Sequence, residues 1–207
     1  MRPVQPLMAG ITNPTLLDIP DPIETARLLL RAPSPAYADT LHEAVRESLP
    51  ELIPFMPWAS ETYSLPDARY YLHWAASRYI IREALPMLIF HRETGEFIGS
   101  TGLERINWDV PRMEIGYWLR TSWVGQGYVT EAVAALTAFA FETLGAERVE
   151  IRMDATNVRS RAVAERSGYV LEARLRHYTL NPAGELIDEL VFALLRAEYQ
   201  AQTKGDL

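Results

Sequence analysis

Between residues 112 and 155 the chain reads RMEIGYWLR, then TSWVGQGY, then a stretch with an apolar stripe, then GAERVEIRMDA. The first and last pieces have the two-residue alternation of strands. Over 127–144 the residues Val129, Val133, Leu136, Ala140 and Leu144 recur at helical spacing, and Gly145 marks the stop. Two strands joined through a helix lie side by side in parallel, and the crossover is right-handed. The chain is therefore committed to one parallel pair, with a glycine-bare turn at the C-terminal end of its first strand, where ligands of open α/β sheets gather.

The flanking segments predict antiparallel pairing. Ahead of the crossover, 87–92, 96–107 and 112–120 read as a meander turned by ETG at 93–95 and WDVP at 108–111. Behind it, a helix at 158–167 stops at Gly168, and strands at 169–180 and 186–195 form a hairpin through NPAGE at 181–185. Towards the N-terminus, RLLLRAP at 27–33 is a strand ended by Pro33 and Pro35, and 37–49 is a helix. FMPWA at 55–59 is a proline-framed loop, and 66–83 is a helix with Tyr70, Trp74, Ser77 and Ile81 on one stripe. The fold class is α/β, a mixed and mostly antiparallel twisted sheet around a central parallel β-α-β crossover.

At 207 residues, 48% hydrophobic, the chain suits one domain with a sizeable core. We expect that domain at 24–200, a proline-rich arm at 1–23 and a C-terminal tail at 201–207. The absence of cysteine excludes disulfides, thiolate metal sites and thiol nucleophiles, and fits a reducing cytoplasm. No apolar run approaches the ~20 residues of a membrane span, so a soluble, unexported, cytoplasmic protein without membrane contact is expected. A formal charge of -7 argues against a general grip on nucleic acid and favours amines or basic peptides as partners. The four histidines, His42, His73, His91 and His177, lack metal-ligand spacing, and no metal is expected.

The glycine turn opens a helix whose first amides have no intrahelical partner, a setting that attracts anions. Gly125 and Gly127 remove the side chains that would hold a phosphate away. A P-loop needs lysine and then Ser or Thr after the last glycine, where Tyr128 and Val129 stand. A dinucleotide fold needs a third Gly or Ala at Thr130 and a parallel series of strands. An ordinary tight turn is the third reading, and the loop taken alone does not decide.

MEIGYWL, GQGYVTEA and, after the second strand, NVRSRAVAERSGY together resemble the GNAT superfamily of N-acetyltransferases, most closely the RimJ/RimL-like branch that acetylates ribosomal-protein N-termini. The resemblance runs from ETARLLLR at 24–31 to FALLRAEY at 192–199, includes PFMPWA at 54–59 and leaves the first 23 residues uncovered. The family's loop is Gln/Arg-x-x-Gly-x-Gly/Ala; here Ser122 occupies its first position.

The resemblance implies that the amides of Val124, Gly125, Gln126, Gly127 and Tyr128 hold the pyrophosphate of acetyl-coenzyme A, with Thr130 adding its hydroxyl. It implies that the two parallel strands splay, so that residues 116–120, Trp118 and Leu119 among them, offer backbone groups to the pantetheine, Leu119 supplying the oxyanion donor. Asn157 would bond the pantetheine amide and Ser160 the departing thiolate; a helix-capping Asn with a helix-start Ser is the alternative. Glu114 is the candidate base, or else a strand-end surface glutamate, with Glu104 as second candidate. Trp58 walls the acceptor cleft or belongs to the core. Glu131 has a solvated or loop-bracing place, and Asp188 no derivable role.

The activity implied is direct acetyl transfer to a primary amine, a protein N-terminal α-amine by resemblance. A small-molecule amine such as an antibiotic or polyamine, or a non-catalytic acyl-coenzyme A-binding module, are the other readings. Homodimers are common in the family, and the proline-rich arm could cross a subunit interface.

Overall fold

The computed structural model describes residues 13–205. Of the proline-rich arm, residues 1–12 lie outside the described residues. The rest lies against the body: Ile19 is buried in the core and Arg82 Nη2 donates to Leu17 O at 2.9 Å. The arm then enters the sheet as the short strand β1 (Ile23–Glu24), followed by β2 (Leu28–Arg31).

Helix α1 (Ala38–Leu52) runs three residues beyond the expected end, through Pro50. The proline removes one amide donor, and the helix closes beyond it with Ile53 N donating to Leu49 O at 2.9 Å. In α2 (Leu65–Ile81), started by a Ser64/Asp67 capping box, the stripe of Tyr70, Trp74, Ser77 and Ile81 is the outer face and not the one packed on the core. Ala68, Leu72 and Ala75 face the core, while Tyr70, Trp74 and Ile81 are exposed. Two stripes compete in this sequence, and the one with alanines wins because small side chains let the helix sit close to the sheet.

Strands β3 (Leu85–His91), β4 (Phe97–Asn107) and β5 (Arg112–Leu119) form the expected antiparallel meander. β3 is buried on both faces from Leu85 to Phe90, as its unbroken apolar run requires. The crossover follows: α3 (Tyr128–Ala138), then β6 (Arg148–Asp154), paired in parallel with β5. The helix expected over 127–144 is not uniform, because Phe139–Thr143 is a π turn closed by Leu144 N to Phe139 O. Phe139, Ala140 and Phe141 are consecutive and all buried, which one narrow α-helical stripe does not allow.

Helix α4 (Val158–Arg166) leads to β7 (Val170–Leu180) and β8 (Leu186–Leu195), an antiparallel hairpin. β8 lies between β6 and β7, giving the order β1-β2-β3-β4-β5-β6-β8-β7. A last helix, α5 (Arg196–Gly205), takes in most of the segment expected as a tail. The core has two parts: one cluster joins the sheet to α3 and α4, and the other joins its opposite face to α1 and α2.

Candidate active site

The parallel pairing of β5 with β6 ends at Glu114–Glu150. Beyond it β5 continues to Leu119 bonded to β4, and β6 continues to Asp154 bonded to β8, so the two strands part. The gap opens into a cleft of about 1540 Å³. Arg120 N donates to Ile98 O at 2.8 Å. Bonded and non-bonded pairs alternate in an antiparallel ladder, which puts Leu119, opposite Gly99, in a non-bonded pair with its amide turned from β4 towards the gap.

The glycine turn borders the same cleft, through Val124, Gly125, Gly127, Tyr128, Val129 and Thr130. Gly125 and Gly127 hold φ of 79° and 82°, the left-handed region that suits glycine. Gly127 caps α3 without a side-chain bond, and Glu131 N donating to Gly127 O at 3.0 Å is the first helical turn to close. The amides of Tyr128, Val129 and Thr130 thus point out of the helix start. Two expected contributors stand apart from these. Val124 N already donates to Thr121 O at 3.3 Å, and Gln126 is exposed away from the cleft wall, its carbonyl taken by Arg27 Nη1 at 3.1 Å.

The turn is held from both sides. On one, Glu47 Oε1 accepts from Ser122 N at 3.1 Å and Ser48 Oγ from Thr121 N at 3.0 Å, so α1 fixes the approach. On the other, Glu131 accepts from Thr25 Oγ1 (2.6 Å), Arg27 N (2.8 Å) and Arg27 Nε (2.6 Å). Burial would raise the Glu131 pKa, but these bonds outweigh it and hold the carboxyl below its usual range. The Arg27 guanidinium also lies 4.4 Å from the centre of the buried Tyr128 ring. Glu131 is therefore a brace. Thr25 and Arg27 were missed in the sequence because they stand about a hundred residues from the loop they support.

Across the gap, Asn157 Oδ1 accepts from Ser160 N at 3.0 Å, so Asn157 does cap α4; its Nδ2 bonds none of the described residues. Ser160 Oγ lies 2.9 Å from Tyr117 Oη, and both residues line the cleft. Tyr117 was not foreseen: its alternation with Trp118 was legible, but not that its face of β5 looks onto α4. Arg159 and Arg166 add positive charge to this end.

The other end is aromatic and acidic. Trp58, 45% exposed, lines the wall with its ring 6.0 Å from that of Trp118, so it is a cleft residue and not core. The Trp118 indole packs on this side too, 6.0 Å from Phe97. Glu104 lines the cleft and accepts from Arg78 Nη1 at 2.9 Å; burial outweighs that guanidinium and raises its pKa. Glu114 is the cross-strand partner of Glu104, yet it is not among the cleft-lining residues. It sits between Arg105 (3.4 Å) and Arg152 (3.7 Å), with Oε2 buried and without a hydrogen-bond partner among the described residues, and burial raises its pKa as well. Asp188 accepts from His177 N and Arg174 Nε, which ties down the β7–β8 hairpin. Among the described residues no group of three His, Asp or Glu side chains could hold a metal ion, and no helix is long and apolar enough to cross a membrane.

Residues 27–170 match the family model for the acetyltransferase (GNAT) domain. An uncharacterized N-acetyltransferase, p20, of Bacillus licheniformis is 35% identical over 111 residues, 54% of this chain and 62% of that protein. The ribosomal-protein-serine acetyltransferase of Escherichia coli K12 is 36% identical over 81 residues, 39% of this chain and 45% of that protein. The matches thus span less than two thirds of these curated relatives. In fold, the chain superposes on RimL, a ribosomal L7/L12 alpha-N-protein acetyltransferase in complex with coenzyme A, with a TM-score of 0.79 at 24% identity, covering 84% of this chain and 98% of that one. The parted strands, the glycine turn and the matched span make this chain a member of the GNAT acetyltransferase family.

Proposed function

We propose that the chain is an acetyl-coenzyme A-dependent N-acetyltransferase that passes the acetyl group directly to a primary amine, a protein N-terminal α-amine of the ribosomal-protein type. The observation that carries this reading is the parting of β5 and β6 beyond Glu114–Glu150, with a side-chain-free helix start at the mouth of the gap. The residues fit the group. Pyrophosphate oxygens would meet the amides of Gly125 and of Gly127 to Thr130, with the Thr130 hydroxyl beside them. Arg159 and Arg166 would add charge, and the Asn157 Nδ2 is a donor for a pantetheine carbonyl.

The bound coenzyme supplies an activated thioester; the chain supplies the proton path. Glu104 is the base, because it faces the cleft and burial raises its pKa, where a carboxylate takes a proton from an amine more readily. Glu114, one strand further, shares a guanidinium with it: Arg105 Nη1 lies 3.4 Å from Glu114 Oε2 and also acts on Glu104. The Leu119 amide faces the carbonyl oxygen as it gains negative charge. Ser160 donates to the sulfur as it leaves.

Two things favour an N-terminal acceptor. Its pKa of about 8 lies below the ~10.4 of lysine, so a larger share is neutral near pH 7. The relatives named above include acetyltransferases of ribosomal proteins. We expect the protein to act in the cytoplasm, where such an acceptor is made, and sedimentation tests the homodimer we expect. Release of free coenzyme A is the test of function, with acetyl-coenzyme A and, separately, peptides with free N-termini, N-blocked lysine peptides and polyamines. Release with the first alone supports the proposal, release with polyamines alone points to a small-molecule enzyme, and release with none to a binding module.

A further inference from the structure

Tyr117 stands on β5 and Ser160 in the first turn of α4, 43 residues later, and their side chains meet across the gap. The phenol has two acceptors on this one residue: Ser160 Oγ at 2.9 Å and the Ser160 carbonyl oxygen at 3.2 Å. Burial pushes the phenol pKa up to about 12, so near neutral pH it carries one proton to give. Ser160 N is fixed by Asn157, which leaves the serine hydroxyl rotor as the movable part. When the phenol donates to the carbonyl, the serine hydrogen is free to turn back to Tyr117 Oη. When the phenol donates to Oγ, the serine hydrogen must point elsewhere, and the cleft is where it can go.

We infer that Tyr117 is a positioning residue: its phenol donates to Ser160 Oγ and thereby aims the serine hydrogen at the sulfur of the departing coenzyme A thiolate. The inference rests on the proposed acetyl transfer, which puts the sulfur beside Ser160. No bond other than hydrogen bonds changes at the pair. Both oxygens keep their protons, and the thiolate later takes the proton that the amine has lost. Arg166, the charged group that also acts on the phenol, lies on the same side and attracts a thiolate whatever residue stands at 117.

The test compares coenzyme A with desulfo-coenzyme A by calorimetric titration from pH 7 to 10, in the wild-type chain, Tyr117→Phe, Ser160→Ala and the double variant. Tyr117→Phe deletes one oxygen and keeps the ring, and desulfo-coenzyme A reports whether the rest of the site is intact. The wild type should prefer coenzyme A increasingly as pH rises and the thiol ionises. That increase should shrink about tenfold in Tyr117→Phe, as it does in Ser160→Ala, with no further loss in the double variant and unchanged affinity for desulfo-coenzyme A. A wild-type pH-dependent preference in Tyr117→Phe would overturn the inference alone. Failure of the wild type to bind either ligand would overturn the acetyltransferase reading and the inference with it.

Discussion

Arg27 and Glu131 close an ion pair at 2.6 Å that ties the start of β2 to the first turn of α3, beside the glycine turn. Glu131 also accepts from the Arg27 amide and the Thr25 hydroxyl, while Arg27 Nη1 donates to the Gln126 carbonyl. A loop that must present bare amides has no side chains with which to hold its own shape. Its rigidity is imported from a strand far away in sequence.

Glu131→Gln should therefore weaken coenzyme A binding without unfolding the protein. The pair is partly exposed on the arginine side, so the loss is moderate, about fivefold in Kd by titration. Raising salt to 1 M should narrow the difference, because it screens the wild-type pair.

Gly102 and Gly116 are cross-strand partners with opposite tolerances. A Cβ at Gly102 would stand 2.7 Å from Pro86 Cα and 2.8 Å from Leu85 O, both backbone atoms, whereas at Gly116 it would meet nothing within 4 Å. Gly102→Ala should lower stability by about 3 kcal/mol in urea unfolding. Gly116→Ala should leave the midpoint nearly unchanged and, because Gly116 lines the cleft, reduce ligand affinity instead.

Of the cross-strand partners Glu104 and Glu114 only the first lines the cleft, and the proposed base is tested there. Glu104→Gln should lower turnover by about a hundredfold and abolish the acid limb of the pH–rate profile, whereas Glu114→Gln should keep that limb. The stability effect at Glu114 has a definite sign. Its folded pKa is raised above 4.5, so its stabilising contribution is full below the unfolded value and is lost as pH rises through the folded one. Glu114→Gln should melt higher than wild type at pH 8, and the gain should disappear near pH 4. A lower melting point at pH 8 would contradict this.

The central crossover was legible because three local signals agree there: strand alternation, a pair of glycines with one residue between them, and a helical stripe. The meander and final hairpin were legible for the same reason. What failed had two local solutions or none. In α2 both the Tyr70–Trp74–Ile81 and the Ala68–Leu72–Ala75 rows fit a helix, and only closeness to the sheet selects the second. RAEYQAQTKG shows no apolar stripe to announce α5. At the site, Gly125, Gly127, Thr130, Asn157 and Ser160 could be named from order along the chain, and all line one cleft. Tyr117, Arg27 and the choice between Glu104 and Glu114 depend on which strand faces which gap, and spacing in sequence does not carry that.

The central claim is that the glycine turn holds the pyrophosphate of acetyl-coenzyme A. The most direct measurement is calorimetric titration of the wild-type chain and of Gly125→Trp with acetyl-coenzyme A. A Cβ at Gly125 meets no neighbour within 4 Å, so an indole there would cover the amides, and the strain of a side chain at φ 79° falls on the turn itself and not on the core. The account predicts micromolar binding by the wild type and none by the variant, with melting curves that show both folded. Wild-type affinity in the variant, or no binding to the wild type at millimolar ligand, would contradict it.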